Sequence, residues 1–231
     1  MKHLAFAGFE RVAPHLVERA RRYPAALLCD VQGRRGALHS RIRALHPKMS
    51  ACGPAFTVEV RPGDNLMMHL ALALAAPGDV IVVDGKGHQT CALFGDLMVP
   101  QAQAAKLGGF VVAAACRDWN EIAGRDFPAF ACGPNPCGPT KGLAGKLGIP
   151  VSVGGTSVSP GDLVVGDADG VVVIPRLQVE AVVAAAEEKL AAEGQRLREI
   201  SEGKLVSPWL DDALAQAGLP RLGSTTRAAR E

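Results

Sequence analysis

Apolar and polar positions along the chain follow two regimes, and the change falls near residue 126. In the first, short uncharged runs alternate with helix-period stretches. "GPAFTVEV" (53–60) alternates behind a Gly-Pro step and predicts a strand. "GDVIVVD" (78–84) and "GFVVAAAC" (109–116) carry no charge in their interiors, as strands buried on both faces do. "PGDNLMMHLALALAA" (62–76) sets Asp64 or Asn65 ahead of an apolar-periodic run, a helix-start signal. Residues 97–107 predict a further helix, and residues 10–22 an amphipathic one with Pro14 near its start. Strand, loop, helix, strand in this order predicts a parallel crossover unit and an α/β class.

In the second regime Gly and Pro are frequent and the β-type runs are short. "PGD" and "GDADG" are turn signals, so a meander of short strands is expected up to residue 175. Residues 176–201 then form the strongest helical pattern. Val179, Val183, Ala186, Leu190 and Leu197 fall on one face and predict a buried stripe. The reading is one domain over 1–231, with a C-terminal helix within 176–206. The tail (207–231) is expected to be loosely held or used at a subunit contact.

Composition narrows the function classes. The chain has 231 residues, 48% of them hydrophobic, enough for a sizeable core. A net charge of +2 gives no electrostatic reason to expect nucleic acid, and 4% aromatics leave little for a base-stacking surface. Apolar runs such as Phe110 to Cys116 fall far short of the ~20 residues a bilayer requires. No secretory signal is read at the start, so a soluble, cytoplasmic protein is expected, without membrane partners. Cys29, Cys52, Cys91, Cys116, Cys132 and Cys137 form no CxxC pair and are read as buried free thiols.

Nucleotide motifs fail at their chemistry. "DGKGHQT" has Thr90 where a dinucleotide fingerprint needs its third Gly, and "GPNPCGPTK" has Pro139 where a phosphate loop needs Lys. The six histidines are scattered, with His88 expected in a loop before Gly95-Asp96. One arrangement survives. If 109–116 is a buried strand, Arg117 and Asp118 emerge at its carboxyl end, the edge where open α/β sheets bind ligands. The backbone N–H groups of Gly95, Asp96, Leu97 and Met98 can hold a carboxylate, with Arg117 as a bidentate anion clamp. Asp118 can hold a hard cation that keeps its waters, with Glu121 three residues on. Asp96 can orient a water for proton transfer. The same residues also read as a strand-capping salt bridge and an ordinary helix N-cap.

"GPAFTV…PGDNLMMHLALALAAPGDVIVVDG", then "GDLM", "CRDWNE", "GPTK" and "PVSVGGTSVSPGDLVVGDADGVVVIPR", together resemble the family named for the regulator of ribonuclease E activity A, the RraA-like family. Its class II pyruvate aldolases act on 4-hydroxy-4-methyl-2-oxoglutarate and 4-carboxy-4-hydroxy-2-oxoadipate. They carry an acid, twenty residues, Arg-Asp, two residues, then an acid. Asp96, residues 97–116, Arg117-Asp118, Trp119-Asn120 and Glu121 repeat that spacing. The resemblance implies an α/β/β/α layered sandwich similar to the swivelling phosphohistidine domains. It implies a homotrimer or homohexamer with sites between subunits, and a role in aromatic compound degradation. It further implies a lyase using Mg²⁺ or Mn²⁺, with oxaloacetate decarboxylase side activity. On this resemblance Gly95 to Met98 hold the pyruvyl carboxylate and Arg117 contacts the pyruvyl oxygens. Asp118 is the metal ligand, Glu121 supports the metal's water shell, and Glu193 of a neighbouring subunit approaches it. The family's regulator branch, which binds protein and is not catalytic, lacks the Asp after the Arg. Cys116 and Trp119 depart from the usual pattern and bear on the pocket's shape.

Overall fold

The computed structural model describes residues 8–222. Two short helices come first, α1 (Pro14–Ala20) and α2 (Ala25–Val31). Pro14 stands at the first helical position, where its missing N–H is no loss, so the helix expected over 10–22 starts there. Next come β1 (Arg43–Ala44), β2 (Ala51–Glu59), α3 (Leu66–Leu74) and β3 (Val80–Phe94). They are followed by α4 (Met98–Ala104), β4 (Gly109–Cys116) and α5 (Trp119–Ala123). The second half holds β5 (Ala129–Pro134), β6 (Lys146–Leu147), β7 (Val151–Val153), β8 (Thr156–Val158), β9 (Leu163–Asp167) and β10 (Gly170–Ile174). After a 3₁₀ turn at Arg176–Gln178 run α6 (Val179–Ser201) and α7 (Leu210–Gln216).

The main sheet has the order β1-β5-β4-β3-β2-β9-β10, with β6 on β2. Strands β2, β3, β4 and β5 are parallel neighbours, while β1, β6, β9 and β10 join antiparallel. The crossover unit expected from the sequence is therefore present within a mixed α/β sheet. A pleated strand sends alternate side chains to opposite faces. Ile81, Val83, Phe110 and Val112 join one core with residues of α3, α4 and α5, while Val80, Val82, Val111 and Ala113 join another with the β7–β8 hairpin. A third core gathers α1, α2, β9, β10 and the first turns of α6.

One strand differs from its expected form. β3 continues to Phe94, and its register against β4 slips between Val83 and Phe94. His88 therefore lies in β3 and pairs with Ala114, not in a free loop. The polar "DGKGHQT" concealed this, because the bulged segment lacks regular alternation.

By its contacts the chain forms two compact units, ending at Glu187 and starting at Glu188, inside α6. In the first unit Val179, Val183 and Ala186 are buried, as the stripe predicts. In the second, Leu190 and Leu197 are exposed, so the stripe leaves the core after Ala186. The tail from Ser207 includes α7, and its last nine positions (223–231) lie outside the described residues. All six cysteines are free, yet only Cys52, Cys91 and Cys116 are buried; Cys137 is exposed. No helix among the described residues is long and apolar enough to cross a membrane.

Candidate active site

β4 is buried along its whole length and ends at Cys116, so the next two residues emerge at the carboxyl edge of the sheet. The backbone of Arg117 is tied to β3 by its N–H donating to Phe94 O at 3.0 Å. Asp118 then adopts left-handed geometry (φ 56°, ψ 41°) ahead of α5. Such a backbone is uncommon outside Gly and costs ~1 kcal/mol or more; where it persists it often serves a site. Here it turns the Asp118 carboxylate back to the β3–α4 turn. Its Oδ2 accepts the Asp96 N–H at 2.9 Å and lies 3.6 Å from Arg117 Nε.

Gly95 is what lets these groups meet. A Cβ there would lie 2.6 Å from Asp118 Oδ2 and 2.9 Å from Arg117 Nε. Of the four turn amides expected to hold a carboxylate, two are engaged: Asp96 N–H by Asp118, and Met98 N–H by Gly95 O at 3.1 Å. The N–H groups of Gly95 and Leu97 have no partner among the described residues.

Asp96 has a partner that sequence spacing did not single out. Arg125, just beyond α5, grips its carboxylate with both guanidinium edges, Nε to Oδ1 and Nη2 to Oδ2 at 2.6 Å. The hydrogen bond from Arg125 holds the Asp96 carboxyl below the usual carboxylate range. Asp96 is thus an ionised, acceptor-only group.

Beside this rim lies a cavity of about 160 Å³. Gly95, Leu97, Met98 and Arg117 line part of it; Asn65, His69, Pro139 and Lys141 line another part. Two basic side chains, Arg117 and Lys141, therefore line it, and no carboxylate among the described residues does, a setting for an anion. Asp96, Asp118 and Glu121 stand outside that lining. Glu121 is exposed on the first turn of α5. Glu193 belongs to the second unit, where it lies 4.0 Å from Lys189 on α6.

The other part of the lining is held by Asp64, which is 1% exposed. Its Oδ1 accepts the Leu66 N–H, and its Oδ2 accepts the Thr140 hydroxyl at 2.7 Å and the N–H groups of Gly142 and Leu143. Burial pushes the Asp64 carboxyl up, but these donors outweigh it and the net displacement is downward. Asp64 thus pins the segment carrying Lys141 to the start of α3. His69, one turn into α3, is held below its ordinary range by burial and by the Lys141 charge, so it is neutral near pH 7. Asn65 and His69 share one helix face at i, i+4. That spacing of two polar residues inside "NLMMHLALALAA" was the signal available for them. Cys116, by contrast, is buried among apolar neighbours, and burial, with the nearby Asp118 charge, pushes its thiol up to about 12. It is inert filling beneath the site. Trp119 packs half-buried on the same core.

The donor set suits one kind of ion. Asp118 offers an Oδ1 without a partner among the described residues on a 39% exposed side chain, with Glu121 one turn on. No group of three or more His, Cys, Asp or Glu able to hold a metal occurs among the described residues. One or two hard oxygens fit a cation of the Mg²⁺ type, which keeps waters and takes further oxygens from its substrate.

Residues 25–173 match the model of the RraA-like family, Aldolase/RraA. A Halalkalibacterium halodurans protein named "Putative 4-hydroxy-4-methyl-2-oxoglutarate aldolase" is 40% identical over 186 residues, covering 80% of this chain and 89% of its own. Among solved structures, an uncharacterized protein from Pseudomonas syringae pv. tomato superposes with a TM-score of 0.75 at 27% identity, over 84% of this chain and 96% of its own. Streptomyces coelicolor RraAS2, an unusual member of the RNase ES inhibitor RraA protein family, gives 0.74 at 29% identity, over 81% and 100%. With the family's motifs gathered around one cavity and its model matched over more than half the sequence, this chain belongs to the RraA-like family.

Proposed function

We propose that this protein is a class II pyruvate aldolase. It cleaves a 4-hydroxy-2-oxo acid of the 4-hydroxy-4-methyl-2-oxoglutarate or 4-carboxy-4-hydroxy-2-oxoadipate type into pyruvate and a second 2-oxo acid. The observation that carries this reading is the cavity in which the Arg117 guanidinium and the free Leu97 amide share one lining, with Asp118 adjoining. An aldolase name on a relative 40% identical supports the same chemistry.

The substrate's C1 carboxylate accepts from the Gly95 and Leu97 amides, and Arg117 donates to it and to the 2-oxo oxygen. As the C3–C4 bond breaks, its electron pair passes to C3 and onto the 2-oxo oxygen, giving an enolate. The 4-hydroxyl gives its proton to a hydroxide ion in the site, which becomes water, and C4–O becomes the carbonyl of the second product. Arg117 opposes the charge gathering on the 2-oxo oxygen, an interaction worth several kcal/mol in a partly dry site. A divalent cation held by Asp118, with Glu121 in support, would supply further stabilisation of that negative charge. Asp96, kept ionised by Arg125, accepts hydrogen bonds only. It therefore orients that water, whose proton goes to C3, completes pyruvate and returns the hydroxide. Oxaloacetate losing CO₂ leaves the same enolate, so decarboxylation is an expected side activity. The working assembly in this reading is a homotrimer or homohexamer, with Glu193 of a neighbouring copy approaching the site.

Coupled detection of pyruvate from these hydroxy acids and from oxaloacetate, with Mg²⁺, Mn²⁺ or a chelator, tests the proposal. Release that a chelator abolishes is expected. Silence with every divalent ion would leave the other family role, the non-catalytic regulation that the RraAS2 likeness supports. Borohydride capture of pyruvate on a lysine would replace the metal-dependent route by a Schiff-base one.

A further inference from the structure

One strip of the cavity wall is tied to β3 beside two cysteines. Asn135 Nδ2 donates to Gln89 O, and Asn135 Oδ1 accepts the Cys137 N–H at 2.9 Å. Ala92 N–H donates to Cys137 O at 2.8 Å. Two backbone bonds on either side of that hydrogen bond lead to the Cα atoms of Cys91 and Cys137. The pair therefore stands within the ~7 Å beyond which a disulfide cannot form. The Cys91 side chain is directed to the same strip. A Cβ on Gly63 would lie 3.7 Å from Cys91 Sγ, and Gly63 O accepts the Thr140 N–H at 2.8 Å. Burial, and after it the neighbouring Cys137, hold the Cys91 thiol above its ordinary range. Both thiols are free, Cys91 buried and Cys137 exposed. An oxidant from solution therefore meets Cys137 first, and Cys91 is the thiol at hand to resolve the product.

Gly138 follows directly. A Cβ on it would lie 3.2 Å from Arg117 Nη1, so its backbone stands close against the guanidinium. Gly138, Pro139 and Lys141 line the cavity with Arg117. In the thiol form Cys137 Sγ lies 3.7 Å from Gly138 O. A bond to Cys91 breaks that contact and draws the two sulfurs to ~2.05 Å, which moves Cys137 and Gly138 with it. We propose that Cys91 and Cys137 form a reversible disulfide that resets this wall, a redox switch on the aldolase reaction. The bond stands apart from the proposed function; its effect on turnover rests on that reading. A peroxide is the oxidant. The Cys137 sulfur attacks one peroxide oxygen, the O–O bond breaks, and the first water leaves a sulfenic acid behind. The Cys91 sulfur then displaces that hydroxyl as a second water and the S–S bond forms. Two thiols give up two electrons and two protons, and one H₂O₂ becomes two waters.

The test treats the full chain with hydrogen peroxide, removes the peroxide, blocks remaining thiols by alkylation and digests with trypsin without reduction. A bridge between peptides 87–106 and 126–141 is expected, placed by fragmentation on Cys137 and not on Cys132. Cys132→Ser should keep the bridge and Cys137→Ser should abolish it. Pyruvate release, assayed with the divalent ion that supports turnover, should fall about tenfold or more in the oxidised protein, through displacement of the wall at Arg117. It should return with dithiothreitol, which does not restore methionine from its sulfoxide. Cys137→Ser should turn over like the reduced wild type before and after peroxide. Absence of a Cys91–Cys137 bridge overturns the proposal. A bridge with turnover unchanged, or a loss that persists in Cys137→Ser, overturns the switch. Wild type releasing no pyruvate even when reduced overturns the proposed function and the switch with it, while the linked peptides still decide the bond.

Discussion

Two parts of one cavity are built on opposite terms. At the rim, Arg117 and Asp118 keep side chains 44% and 39% exposed, 3.6 Å apart, too long for a hydrogen bond. At the other part, Asp64 is almost fully buried and its carboxylate accepts four hydrogen bonds. Exposed pairs contribute little to folding because water screens them, at about 0–1 kcal/mol. A buried carboxylate is different: it must be satisfied, and its donors are thereby fixed in place. The rim directs its charge at what enters the cavity, whereas the Asp64 cluster, a clasp joining the start of α3 to residues 140–143, directs its charge at the cavity's shape. Substitutions should therefore separate the two parts, the rim losing turnover with stability kept, the clasp losing stability first.

The largest expected effect is at Asp118. Asp118→Asn tolerates the same left-handed backbone and can still accept the Asp96 N–H, so the turn survives. Without its negative charge it no longer holds a hard cation, and metal-dependent pyruvate release should fall by ~10³-fold or more. The melting temperature should stay within about 2 °C, since an exposed change of this kind is worth about 0.5 kcal/mol at most. Melting and turnover falling together would erase the contrast between the two parts.

Next is Arg117→Lys, which keeps the charge and loses the planar fork. If two substrate oxygens are held side by side, kcat/KM should drop by about 10²-fold with the melting temperature unchanged. A drop smaller than about threefold would mean that a point charge suffices there.

Much of the rim was legible in the sequence, and the clasp was not. β4 could be read to the residue, because its interior "FVVAAAC" is uncharged and ends on Arg117-Asp118. The Gly95-Asp96 turn was legible for the same reason, by its place between a strand and a helix. Arg125 escaped, since its pairing with Asp96 spans 29 positions and depends on how α5 returns. Asp64 escaped differently: it read as a helix start, which it is through Leu66 N–H, while its other three donors come from 140, 142 and 143. Long-range hydrogen bonds leave no local pattern. Periodicity also overran its meaning in α6, where Leu190 and Leu197 continue the apolar stripe after the core beneath it has ended.

The clasp's own prediction is one of stability. Asp64→Asn keeps the shape, removes the charge and sets an NH₂ group against at least one backbone donor. About 2–3 kcal/mol should be lost, a fall of ~6–10 °C in melting temperature for a domain of this size. Turnover measured well below the melting transition should drop by no more than about tenfold, through looser placement of Lys141. The pH dependence has a definite sign. The folded-state range of Asp64 lies below its usual one, so its contribution is present above the ordinary carboxylate range and lost as pH falls through the lowered one. Wild type should lose stability in that acid window more steeply than Asp64→Asn.

The smallest effect belongs to His69, and it sharpens the comparison because the residue sits on the clasp side while facing the cavity. Burial and the Lys141 charge both disfavour its protonated form in the folded protein, and the unfolded chain lacks both. A folded-state range lowered in this way means that stability is complete above the ordinary histidine range. It declines as pH falls from there through the lowered folded range. His69→Gln should flatten that decline, and Lys141→Gln should shrink it by removing one of its two causes. The readout is the melting temperature followed from pH 7.5 to about 5, across the ordinary histidine range. Identical slopes in wild type and in His69→Gln would show that His69 meets neither burial nor the Lys141 charge in solution, and that the segment carrying Lys141 stands off from α3.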